Sequence, residues 1–189
     1  MHEIVHLAFP SVPDQHRRIE EGIAVHVEPI ARIQAGHFDA PSMWRDLVRD
    51  MPQGLPMAGG EGLDHTHTWG RTYWGVAIFC FLADIQIRRE TKDDRGVQNS
   101  LRGILEAGGD IRHDRELENV LQIGDRATDN HVLTNLYLQM RDKPVDTNLD
   151  ALWKQLEVTV EACAVQFHKD AEMSSFRRSI VAPAPAPAR

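Results

Sequence analysis

Three shortages narrow what this chain can be. Cysteine is the first: Cys80 and Cys163 are its only two, far apart in sequence, and cannot build a disulfide framework. Cys80 lies in the apolar run Phe79-Cys80-Phe81-Leu82, which predicts a buried thiol. Positive charge is the second. The formal net charge is −7, so no basic excess exists to displace phosphate counterions, and nucleic acid is excluded as a general partner. Long apolar runs are the third: none approaches the roughly 20 residues that a membrane-spanning helix needs. No secretory leader is recognisable ahead of the first motif, which leaves the compartment open.

What is present is ordinary globular material. A chain of 189 residues, 42% hydrophobic and 26% charged, is long enough for one domain with a real core. Residues 181–189 alternate Ala and Pro, a pattern that forms neither helix nor sheet and predicts a disordered tail. Residues 1–180 are then the folded domain.

The chemistry is concentrated at the start. His2-Glu3-Ile4-Val5-His6 is an H-E-x-x-H pattern. On a helix, residues four apart share a face, so the imidazoles of His2 and His6 can reach one cation. Glu3 stands beside them, placed to polarise a water in the metal's open position. Catalytic zinc takes three protein ligands and keeps that fourth position free, so one more ligand is needed. Glu21, in the run Ile19-Glu20-Glu21-Gly22-Ile23-Ala24, can supply it from a second helix packed across the first.

These two segments together resemble the gluzincin zinc metallopeptidases of the aminopeptidase-like type, whose third ligand is the glutamate of a Glu-Gly helix. The resemblance implies Glu21 as that ligand, with Glu20 its neighbour. A further match is Tyr73-Trp74-Gly75-Val76-Ala77-Ile78, similar to the Y-x-K-G-A-L segment of those families. There the tyrosine stabilises the oxyanion, so the resemblance implies that role for Tyr73. Two departures stand out: the 14 residues between His6 and Glu21 are fewer than in the aminopeptidases, and Gly75 and Val76 replace the Lys and Gly. The implied fold is mainly α, a thermolysin-like catalytic helical subdomain with a small β-hairpin near the C-terminus. The implied function is zinc-dependent hydrolysis of peptide substrates, with Glu3 as general base. In such families a β-rich portion upstream of the zinc helix supplies the strand edge along which peptide lies. This sequence would lack it, so the alternative is a catalytically inactive remnant that binds zinc or a partner.

The rest of the chain reads as helices separated by Gly and Pro. Residues 2–9 form the zinc helix, stopped by Pro10. A second helix follows a cap at Asp14, with Ile19, Ile23, Val27 and Ile30 or Ala31 on one face, Pro29 bending or interrupting it near Val25, and Gly36 closing it. A short helix spans about 42–51. Residues 52–70 are loop, containing His65 and His67, which read more readily as part of a substrate pocket than as a second metal site. Residues 72–89 carry the strongest periodicity, with Trp74, Ala77, Ile78, Phe81, Leu82 and Ile85 in phase, and predict the central buried helix. Further helices are expected over 97–107, 114–123 (ending at Gly124), 130–141 and 149–156. Asp125-Arg126-Ala127-Thr128 reads as a turn with a salt-bridging arginine. Residues 158–160 and 164–167 pair as strands, and Asp170 caps a last helix through Ile180.

Overall fold

The structure, a computed structural model, describes residues 1–57, 59–66, 68–161, 164–167 and 173–183. The expectations for His67, for Asp170 as a cap and for most of the Ala-Pro tail lie outside these residues. Among the described residues the protein is mainly helical, with nine α-helices and one antiparallel pair of short strands near the C-terminus. The helices are α1 (His2–Leu7), α2 (Arg18–Gln34), α3 (Ala40–Asp50), α4 (Val76–Glu90), α5 (Val97–Glu106), α6 (Leu117–Thr128), α7 (Val132–Met140), α8 (Leu149–Gln155) and α9 (Ser174–Val181). The strands β1 (Val158–Glu161) and β2 (Ala164–Phe167) pair in register Val158 to Phe167 and Glu161 to Ala164. No helix among the described residues is long and apolar enough to cross a membrane.

The core is built around α4. Val76, Ala77, Ile78, Phe79, Cys80, Phe81, Ala83, Ile85 and Ile87 are all buried, so the helix is covered nearly all round, with Gln86, Arg89 and Glu90 left exposed. Trp44 of α3 and Trp153 of α8 pack their rings on Phe81, and Tyr137 of α7 packs on Phe79. Burial raises the pKa of the Cys80 thiol, which is therefore neutral and unreactive. Two charged groups are buried on this helix: Asp84, 1% exposed, lies 3.0 Å from the guanidinium of Arg88, 2% exposed. Asp84 also accepts the Val97 N–H at the start of α5, and Arg88 reaches Asp93 and Gln98. A buried charge pair of this kind costs desolvation and survives through its extra hydrogen bonds.

Three expectations are corrected. Pro29 does not interrupt α2, which runs through it to Gln34. Proline removes the N–H that the Val25 carbonyl would accept, at a cost of about 3 kcal/mol. Packing on both sides of it, by Ile19 and Ile23 before and Ile30 and Ile33 after, offsets that loss. Gly124 does not stop a helix, and residues 125–128 are not a turn: α6 continues to Thr128. A Cβ on Gly124 would lie 2.6 Å from Leu133 Cδ1, so glycine is there to let α7 come close. Asp125, not Arg126, is the working residue of that segment; buried, it accepts the Leu133 and Thr134 N–H groups and caps α7. Asp14 does not cap α2: it opens a 3-10 turn, Asp14–His16, and α2 begins at Arg18. The nearest true side-chain cap is Asp39, whose carboxylate accepts the Ser42 N–H at the start of α3 and has its pKa lowered by that bond.

Candidate metal centre

The first helix is six residues long, without a side-chain cap and without one buried residue. So short a helix does not hold itself in water. Val5 packs on the core, and Phe9 and Val12, just beyond the helix, are buried. The chain after α1 is then tied down by backbone bonds: Ser11 N–H donates to the His113 carbonyl and Arg115 N–H to the Ser11 carbonyl. Glu20 of α2 accepts the Val12 N–H at 3.1 Å. Glu21, about 100° further round α2, is the glutamate that faces α1.

Glu21 lies against both histidines. Its Oε2 is 3.2 Å from His2 Nε2 and 3.8 Å from His6 Nε2. The imidazole centroids are 5.0 Å apart and nearly perpendicular. One ligand atom from each of His2, His6 and Glu21 lies within 4.8 Å of the other two. Ligand atoms about 2.1 Å from a tetrahedral zinc stand roughly 3.4 Å from one another. Two nitrogens and one carboxylate oxygen at these separations fit that ion with small side-chain adjustments, and the donor set is one that zinc takes. The cluster is half-buried, open to solvent on one side. Glu3, on the next position of α1, is exposed and makes no hydrogen bond or ion pair among the described residues.

Gly22 sets how closely the rest of the fold approaches this cluster. A Cβ there would lie 2.2 Å from Val76 Cβ, so only glycine lets the start of α4 rest on α2 one residue from Glu21. The residues just before Val76, Arg71–Gly75, form a single π-helical turn that carries Tyr73. Arg71, buried, holds that turn to the preceding loop by donating to the carbonyls of Gly54 and Glu61. Desolvation lowers its pKa, since these partners are neutral carbonyls. Tyr73 is half-buried with its ring 5.2 Å from that of Trp69, itself 65% exposed. The structure therefore brings His2, His6 and Glu21 together, leaves Glu3 on the exposed next position of α1, and sets Tyr73 on the turn packed against α2. Its hydroxyl forms no hydrogen bond to the cluster.

Several residues here were not singled out in the sequence. Arg18 donates to the carbonyls of Leu63 and Thr66, fastening the 59–66 loop over the start of α2. Asp64 accepts the Tyr137 hydroxyl at 2.5 Å, and His16 Nδ1 lies 3.2 Å from the same hydroxyl. Burial and the neighbouring Asp64 raise the Tyr137 pKa, so the phenol stays protonated as donor. In the Asp64-His65-Thr66 run the aspartate is thus the anchored residue, whereas His65 is exposed and faces Asp142 at 3.4 Å. Glu28, seven residues after Glu21, faces the other nitrogen of His2 at 3.8 Å.

No family model matches this chain, and neither does any curated protein or solved structure.

Proposed function

We propose that the protein is a zinc-dependent peptidase of the gluzincin, aminopeptidase-like type, its helices forming a thermolysin-like catalytic subdomain. The observation that carries this reading is the convergence of His2, His6 and Glu21 within 4.8 Å, from two helices, with glycine at the one position where α2 must be approached closely. Zinc held there would supply Lewis acidity toward the peptide carbonyl and acidify a water. Glu3, without an ion-pair partner among the described residues, takes a proton from the attacking water and returns it to the leaving amine. The Tyr73 hydroxyl donates to the oxyanion as the tetrahedral intermediate forms. A β-rich partner portion would present the peptide along a strand edge. The test is hydrolysis of short peptides by zinc-loaded protein, with Glu3→Gln as control. Turnover abolished by Glu3→Gln, with zinc content unchanged, supports the reading; turnover indifferent to Glu3 refutes its mechanism.

A second reading is a zinc-binding domain without turnover. It is favoured by Gly75 and Val76 in place of the Lys and Gly of the family segment. Stoichiometric zinc with no hydrolysis of any peptide would select it.

A further inference from the structure

The two histidines of the cluster differ in what their second nitrogen meets. His2 is flanked by two carboxylates of one helix, with Glu21 at 3.2 Å from Nε2 and Glu28 at 3.8 Å from Nδ1. Seven residues are close to two helical turns, so Glu21 and Glu28 project from the same face of α2 and bracket the ring. Glu28 is held in turn: Arg32, one turn further, places Nη1 3.7 Å from its other oxygen, and the Arg32 guanidinium lies 4.8 Å over the Phe38 ring. His6 has no such partner among the described residues.

Resting on the metal reading above, we infer that Glu28 is a positioning residue that closes from 3.8 Å to accept the Nδ1–H of His2 when Nε2 binds the metal, fixing that tautomer. A histidine whose far N–H is held by a carboxylate is a more basic and better oriented ligand, and loss of such a partner typically weakens metal affinity roughly ten- to hundred-fold. One helix thereby furnishes both the metal-facing carboxylate and the orienting one.

Zinc affinity by chelator competition, on wild type, Glu28→Ala and Glu28→Gln, tests this. The expected result is a loss of roughly ten- to hundred-fold for Glu28→Ala and a smaller loss for Glu28→Gln, which keeps an acceptor oxygen and the packing volume. Melting of the zinc-free protein should be nearly unchanged in the Gln variant. Nitrogen NMR of the zinc-loaded protein should show the His2 proton on Nδ1, slow to exchange in wild type and fast in Glu28→Ala, with His6 unaffected. Wild type that binds zinc with the same affinity as both variants overturns the role of Glu28 alone. Wild type that takes up no zinc overturns the metal reading and this inference with it.

Discussion

Helices α1 and α4 are opposites. The first is six residues, uncapped, with Ile4 60% and Leu7 57% exposed, and it carries the two histidines. The other is fifteen residues, buried nearly all round, and the residues proposed to act on a metal or substrate lie outside it. The contrast separates two tasks. Burial of α4 against α3, α7 and α8 gives the fold its stability, while α1 is positioned by what surrounds it: the Ser11–Arg115 bonds, the Glu20–Val12 bond and Glu21 itself. An element that owes its place to its neighbours can present side chains to a cation without bearing the fold.

If that division is right, damage to α4 should cost stability first, and damage to α1 should cost metal first. The largest effect is expected from Asp84→Asn, which leaves Arg88 buried with only the Asp93 carboxylate. Loss of one partner of a buried pair costs about 3 kcal/mol or more, read as a lower urea midpoint. Gly22→Ala stands between the two regions. The clash with Val76 should cost about 1–3 kcal/mol by overpacking and also weaken zinc uptake, because relief requires the Glu21 turn to move. Stability falling without any change in zinc affinity would show that the α2–α4 approach does not set the cluster.

A smaller effect should follow pH. His26 of α2 is buried beside Phe81, and desolvation lowers its pKa, opposed by Asp84 and assisted by Arg88. The folded chain refuses a proton that the unfolded chain accepts below about pH 6.5. This group therefore leaves stability intact above that pH and removes it as pH falls toward the depressed folded value. Urea unfolding of metal-free His26→Leu, compared with wild type across this range, should show a shallower loss on acidification. The smallest change in fold stability is expected from His6→Ala: about 1 kcal/mol or less in metal-free protein, since it unmakes no core contact.

The two regions also differed in how far they could be read from residues alone. The α4 pattern is local: apolar residues recur at helical spacing and are numerous enough that no tertiary partner could reassign them. The histidine spacing in α1 is local as well, and the Glu-Gly pair marks the second helix. What escaped depends on chains meeting. Gly124 looks like a stop until α7 is seen lying against it, and Asp125 looks like a turn residue until it caps Leu133 and Thr134. Pro29 looks like a break until packing on both sides is added. At the cluster, the Glu-Gly pair already points to Glu21, and what the chain alone does not show is that Glu20 is committed to the Val12 N–H. Glu28 could have been found by counting seven residues from Glu21 once α2 was known to pass unbroken through Pro29.

The most direct test is zinc content and affinity of the purified protein beside His2→Ala, His6→Ala and Glu21→Ala. The account predicts one zinc per wild-type chain, loss of tight binding in each variant, and a melting temperature that chelator lowers only in wild type. Zinc at about a hundred times its dissociation constant should stabilise the fold by about 2.7 kcal/mol. Equal zinc in all four proteins, or a wild-type melting curve indifferent to both zinc and chelator, would contradict it.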